Sequence, residues 1–138
     1  YYSVDISKSE DFVKLPKINI HAVIFLSGVL PAYMDDYNPM NYVMTNTVGA
    51  LNVLNYCHHN NADRIIYAQT IADINQYIGK IKVLKPNLER NFRFTGDHAV
   101  YAISKNTAVD LIEHFHQEYG LKRFIFRLPT IYAYTPNP

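Results

Sequence analysis

The chain has 138 residues, of which 49% are hydrophobic, and its 13 basic and 12 acidic side chains leave a formal net charge of +1. That length and apolar content fit one globular unit or a large piece of one, and the near balance of charge excludes the electrostatic footprint of a nucleic-acid or anionic-membrane binder. A single cysteine, Cys57, excludes an internal disulfide and a cysteine-based zinc site, and suits a reducing, cytoplasmic compartment.

Tyr1 to Ile6 opens as a short β-type run, followed by Ser7 to Leu15 with apolar residues at 12, 13 and 15 behind a serine cap, which predicts a short helix. Ala22-Val-Ile-Phe-Leu is a continuous apolar run of strand length, as expected of a parallel strand covered on both faces. Ser27-Gly28 closes it and Pro31 stops the apolar stretch far short of the ~20 residues that span a bilayer. Asn38-Pro39 supplies a cap and a first-turn proline for a long helix from Met40 to about His59. Gly49 lies inside that helix at a cost of roughly 1 kcal/mol relative to alanine, which predicts a close approach to its backbone. Asp63 to Ala68 is the next buried strand. Residues 71–98, with Gly79, Pro86 and Gly96, read as an irregular excursion.

From Ala99 to Tyr119, residues 108, 111, 112, 115 and 119 repeat at helical spacing, and Gly120 follows at the favoured end position. Arg123 to Pro129 closes the series with another strand. The alternation predicts an α/β fold built on a parallel sheet with flanking helices and right-handed crossovers. Paired histidines at 58/59 and 114/116 point to different helix faces and accompany no metal-binding pattern, so no metal site is expected.

Tyr101 and Lys105 stand one turn apart on one helix face. A phenol and an ammonium so placed suit proton transfer, although two polar residues on a solvated face would have the same spacing. For a tyrosine to act as a base near neutrality, its pKa of about 10 must fall by roughly three units, about 4 kcal/mol of preference for phenolate.

The ordered series Ala22-Val-Ile-Phe-Leu-Ser-Gly, Asn46-Thr-Val-Gly-Ala-Leu-Asn-Val-Leu, Arg64-Ile-Ile-Tyr-Ala-Gln-Thr, Tyr101-Ala-Ile-Ser-Lys and Arg127-Leu-Pro-Thr-Ile-Tyr resembles the extended short-chain dehydrogenase/reductase family, in its nucleotide-sugar epimerase/dehydratase branch. The resemblance implies a Rossmann-type sheet that binds NAD, with NADP left open, and an isomerase or oxidoreductase acting on a nucleotide-sugar substrate. It implies catalytic roles for Thr70, Tyr101 and Lys105, with Lys105 holding the nicotinamide ribose and lowering the Tyr101 pKa. It also implies cofactor contacts at Asp5 and Ile6 by the adenine, at Leu26, Ser27 and Gly28 along the cofactor, at Asn46 near the active site, and at Pro129 beside the nicotinamide. The family's helices form a dimer's four-helix bundle, so a homodimer is expected.

Two departures stand beside the resemblance. The family's glycine-rich pyrophosphate turn is absent, because the five glycines, at 28, 49, 79, 96 and 120, lie too far apart to build it. The match starts at the third strand, so residues 1–138 read as a partial NAD(P)-binding Rossmann domain lacking the first two strands. Asp73-Ile74-Asn75 also replaces the usual Val-Tyr-Gly type run. A 4,6-dehydratase would carry Asp-Glu directly after the catalytic threonine, where this chain has Ile71 and Ala72. An epimerase is therefore the first expectation, and a dehydratase, a reductase or a non-catalytic cofactor-binding scaffold are the alternatives.

Overall fold

The computed structural model of the chain describes residues 1–129. Three apolar segments form its strands, β1 (Ala22–Phe25), β2 (Arg64–Thr70) and β3 (Lys122–Leu128). They make one parallel sheet in the order β1-β2-β3, with Val23 opposite Ile65 and Ile65 opposite Arg123. Because side chains alternate between faces with period two, Phe25, Tyr67 and Ile125 share the face that packs on the helices, and Ile24, Ile66 and Phe124 share the other. The fold class is thus the expected Rossmann-like one: a parallel sheet with its crossover helices.

The expectation that the first apolar run is covered on both faces is not met. Ile24 is 65% exposed and Phe126 52%, whereas Ile65 and Tyr67 are buried. The helices cover one face of the sheet only, so an uninterrupted apolar sequence here does not mean two-sided burial among the described residues.

The long helical run begins where Asn38 and Pro39 place it. The Asn38 side chain accepts a hydrogen bond from the Met40 amide at 3.0 Å, opening α1 (Pro39–Tyr42). Wider π-type turns carry the chain through Val43–Val48 into α2 (Gly49–His59). A Cβ on Gly49 would stand 2.9 Å from Cδ1 and Cγ1 of Ile6. That is the close approach its place in the helix demanded. The helix that carries Tyr101 and Lys105, α3 (Asp97–Tyr119), starts two residues earlier than expected and ends at Gly120 with φ 73°.

Tyr1 to Ile6 forms no strand. A strand needs a neighbour for its backbone donors and acceptors, and among the described residues none pairs with this segment. Side chains satisfy its groups instead: the Asp5 amide donates to Asp11 Oδ2 at 2.9 Å, and the Ile6 carbonyl accepts from Asn52 Nδ2, on the long helix, at 2.9 Å. The predicted short helix is a 3-10 turn over Ser9–Lys14, preceded by Lys8 with no side-chain cap.

The core lies between the sheet and the two long helices. Ala50, Leu54 and Cys57 from α2 meet Ile65 and Tyr67 from β2 and Ala108, Ile112 and Phe115 from α3. At the foot of the strands Asp63 joins all three: its amide donates to Ile20 O at 3.0 Å, its carbonyl accepts from the Lys122 amide at 3.2 Å, and its carboxylate pairs with Arg64 and Lys122. The opposite, C-terminal ends of the strands open into a cleft.

Candidate active site

In a parallel sheet the loops leaving the C-terminal strand ends converge, and ligands bind there. Here that end holds a cavity of about 510 Å³ lined by Leu26 and Gly28 after β1, by Thr70 at the end of β2, by Tyr101 and Lys105 from α3, and by Pro129 after β3. Three residues read from the sequence as catalytic and three read as cofactor contacts therefore meet in one place.

Thr70 ends β2 and its hydroxyl accepts from the Ala72 amide at 3.0 Å, turning the chain into a 3-10 segment, Ile71–Tyr77. Tyr101 is 9% exposed and its ring meets Tyr42 edge-on at 6.5 Å between centroids. Burial, the larger effect, pushes its phenol up from the ordinary value, and the neighbouring Thr70 side chain pulls the other way. Lys105 is 5% exposed. Its ammonium donates to Ala68 O at 2.6 Å and stands 4.2 Å over the Tyr67 ring. Burial lowers the Lys105 pKa to about 8. The expected depression of Tyr101 by Lys105 is not seen in this structure, because the ammonium is spent on a carbonyl and a ring while desolvation dominates the phenol.

Asn46, in the wide-turn segment, does not line the cleft but builds its wall. Its Oδ1 accepts from the Val29 amide at 2.8 Å, and its Nδ2 donates to Val29 O at 3.1 Å and to Ser104 Oγ at 3.0 Å. The amide thus grips the loop after β1 by both backbone groups. A Cβ on Gly28 would stand 3.0 Å from Asn46 Oδ1, so glycine lets the two meet. Ser27 lies in this same loop and is exposed. Asp5 and Ile6 lie away from the cleft: Ile6 packs on Gly49, and the Asp5 carboxylate accepts from Ser7. Thr130-Ile-Tyr of the last motif falls outside the described residues.

Two carboxylates to which the sequence assigns no role, Asp97 and Asp73, are buried. Asp97, 3% exposed, accepts from the Met34 amide at 3.1 Å and pairs with His98, holding a loop in which Tyr33, Met34 and Asp36 have positive φ. Left-handed backbone at such residues costs roughly 1–2 kcal/mol each, and the buried carboxylate contributes to fixing it. Asp73, also buried, pairs with Arg127 at 3.0 Å. The burial of neither can be read from the sequence, because each depends on a partner more than 50 residues away.

A model of the NAD dependent epimerase/dehydratase family matches residues 1–138, the whole chain. The chain belongs to that family. Among solved structures similar to it, the UDP-glucose 4-epimerase of Thermus thermophilus in complex with NAD is 20% identical, aligns over 90% of this chain and 39% of its own, and has a TM-score of 0.74. RMD from Pseudomonas aeruginosa, complexed with NADPH, is 20% identical over 91% of this chain and 42% of its own, with a TM-score of 0.78. WbmH from Bordetella bronchiseptica, in complex with NAD+, is 27% identical over 89% of this chain and 38% of its own, with a TM-score of 0.62. This member of the family therefore spans about two fifths of those structures. A search of curated proteins finds no match.

Proposed function

We propose that this chain is the catalytic portion of a NAD-dependent nucleotide-sugar epimerase. The convergence of Thr70, Tyr101 and Lys105 on one cleft at the C-terminal ends of the strands carries the reading. The alternative of a 4,6-dehydratase is weakened by Ile71 and Ala72, which offer no titratable group for eliminating water.

The cleft suits the nicotinamide-ribose half of the cofactor. Leu26, Leu30, Ile71, Leu128 and Pro129 give it apolar walls, Gly28 leaves bare backbone, and Lys105 brings one ammonium to its floor. These residues supply no glycine-rich turn for the pyrophosphate. NAD, or NADP in its place, would supply the hydride acceptor and donor. Tyr101 takes the proton of the reacting sugar hydroxyl at its phenolic oxygen and later returns it. Thr70 hydrogen-bonds the same sugar oxygen and holds it beside the phenol. Lys105, whose ammonium donates to Ala68 O, can exchange that carbonyl for the ribose, bringing its charge to the phenolate when the site fills. A cytoplasmic homodimer is part of the reading: Cys57 is a buried thiol pushed up to about 12, and Met40, Met44 and Ile103 expose apolar side chains on the two helices.

Tyr101→Phe tests the proposal in the complete protein. It removes one hydroxyl and nearly conserves volume, so NAD should stay bound while turnover falls by about 10²- to 10⁴-fold. The measurement is reduction of bound NAD by absorbance on adding a panel of UDP-, GDP- and dTDP-sugars. Wild-type turnover in Tyr101→Phe would remove the tyrosine from the mechanism and return the scaffold reading to first place.

A further inference from the structure

The run Asp73-Ile74-Asn75, where the chain departs from its family's pattern, contains a fully buried carboxylate one turn beyond Thr70. Asp73 Oδ2 accepts from Arg127 Nη2 at 3.0 Å, and Asp73 Oδ1 is buried with no partner. Arg127 comes from β3, in register with Gln69, the residue before Thr70. Its other bonds, from Nη1 to Pro86 O at 2.9 Å and from Nη2 to Leu88 O at 3.5 Å, reach the far side of the excursion. The Asp73 carbonyl also accepts from the Asn91 amide at 2.7 Å, and the Gln76 amide donates back to Asn91 O at 3.1 Å. One ion pair thus fastens both arms of an excursion of more than twenty residues to the end of the sheet, next to the turn that Thr70 caps.

The neighbouring polar contacts give the same direction. Gln69 Oε1 accepts from the Thr70 amide at 3.0 Å, and Gln69 Nε2 donates to Asn106 Oδ1 at 2.9 Å, one residue past Lys105. Arg90 pairs with Asp110 further along α3 and donates to Asn106 O at 3.4 Å. Thr70 is held from β2 by Gln69 and from the excursion by the turn containing Asp73. Of these two holds, only the second bears a charge pair whose loss would leave a lone buried ion.

From this geometry we infer that Asp73 is a positioning residue: paired with Arg127, it sets the Thr70 hydroxyl against Tyr101. The inference rests on the proposed roles of Thr70 and Tyr101. A static carboxylate suits the task because it is acceptor-only and needs no rotor to choose its partner. The remaining groups around the Tyr101 phenol are Tyr67 and Tyr42 beside its ring and Lys105 on its own helix. Among the described residues none of them shares a hydrogen bond or an ion pair with Asp73, whose partners are Arg127 and Asn91, so a change at Asp73 reaches the phenol through Thr70.

The test uses the full-length protein labelled with ¹³C in its tyrosine rings. The Tyr101 signal, identified by its loss in Tyr101→Phe, is titrated with pH in wild type, Thr70→Val, Asp73→Ala and Asp73→Asn. Since Thr70 and Tyr101 line the same cleft and the Thr70 side chain acts to lower the Tyr101 pKa, Thr70→Val and Asp73→Ala should both move the midpoint upward. Asp73→Asn, which keeps one oxygen for Arg127, should restore most of the wild-type value. The double variant Thr70→Val/Asp73→Ala should shift no further than Thr70→Val alone. In turnover, Asp73→Ala should lose up to about 10²-fold in kcat with little change in KM for NAD, as expected of a misplaced group. If Asp73→Ala fails to fold, Asp73→Leu/Arg127→Met removes both charges together and should give the same upward midpoint. An unmoved midpoint, or shifts that add in the double variant, would overturn the inference. Turnover retained by Tyr101→Phe would instead overturn the proposed function, and the titration would still decide whether Asp73 acts on the phenol.

Discussion

Lys105 carries its place in the fold as a measurable cost. Its folded pKa of about 8 lies below the ordinary lysine value of 10.5, so the unfolded chain binds more protons between those two values and stability rises with pH through that window. Below about pH 8 the ammonium is charged in both states and its burial opposes folding in full. Lys105→Met should therefore be more stable than wild type near neutrality, and the advantage should shrink by about 2 kcal/mol between about pH 8 and pH 9.5. Urea denaturation at the two pH values measures it, and parallel curves for the two proteins would contradict the burial argument. The residues of the cleft were legible in the sequence because their spacing and order repeat a family pattern. The ionisation of Tyr101 was not, because it depends on how much water the fold removes around the ring and on which partner the ammonium takes.

Among the elements, Gly49 shows a sequence anomaly with a local cause. An alanine there would gain roughly 1 kcal/mol of helix propensity but would drive its Cβ to 2.9 Å from Ile6, and overpacking of this kind costs about 1–3 kcal/mol. Gly49→Ala should be neutral to destabilising in the wild-type background and stabilising beside Ile6→Ala. A double-mutant cycle by denaturation should then show coupling of about 1 kcal/mol or more, and additive effects would mean that Ile6 does not press on this helix. The long helices and the three strands could be placed from apolar spacing and caps alone. The β character of Tyr1 to Ile6 could not be tested that way, because local propensity says nothing of whether a partner strand lies alongside. The wide turns of Val43–Val48 were equally silent: they serve Asn46, whose partners Val29 and Ser104 lie in other elements.

Across the whole molecule, the helices cover one face of the sheet and present exposed apolar side chains on their own outer surface. Met40, Met44 and Ile103 are 58%, 37% and 42% exposed. Removing such side chains from water contributes about 25 cal/mol per Å², which favours association of the helical layers of two copies. Sedimentation of the complete protein should show a dimer that Met44→Glu/Ile103→Glu weakens. A wild-type monomer at high concentration would count against the homodimer.

The strands' two ends differ in more than what they bind. Asp63 is the joint of the N-terminal end, and its carboxyl is lowered to about 2 from an ordinary 3.8, first by Lys122 and then by Arg64. A depressed carboxyl contributes stability that is present above the unfolded value and lost as pH falls through the folded one. Acid should therefore loosen the sheet from the end opposite the cleft. Amide hydrogen exchange near pH 2 should first deprotect Lys122 and Asp63, whose backbone bonds make the joint, while the Thr70 amide stays protected. Asp63→Asn should bring the same pattern to neutral pH. A cleft held at one end of three strands and a proton-sensitive joint at the other would let the molecule fray without first surrendering that cleft.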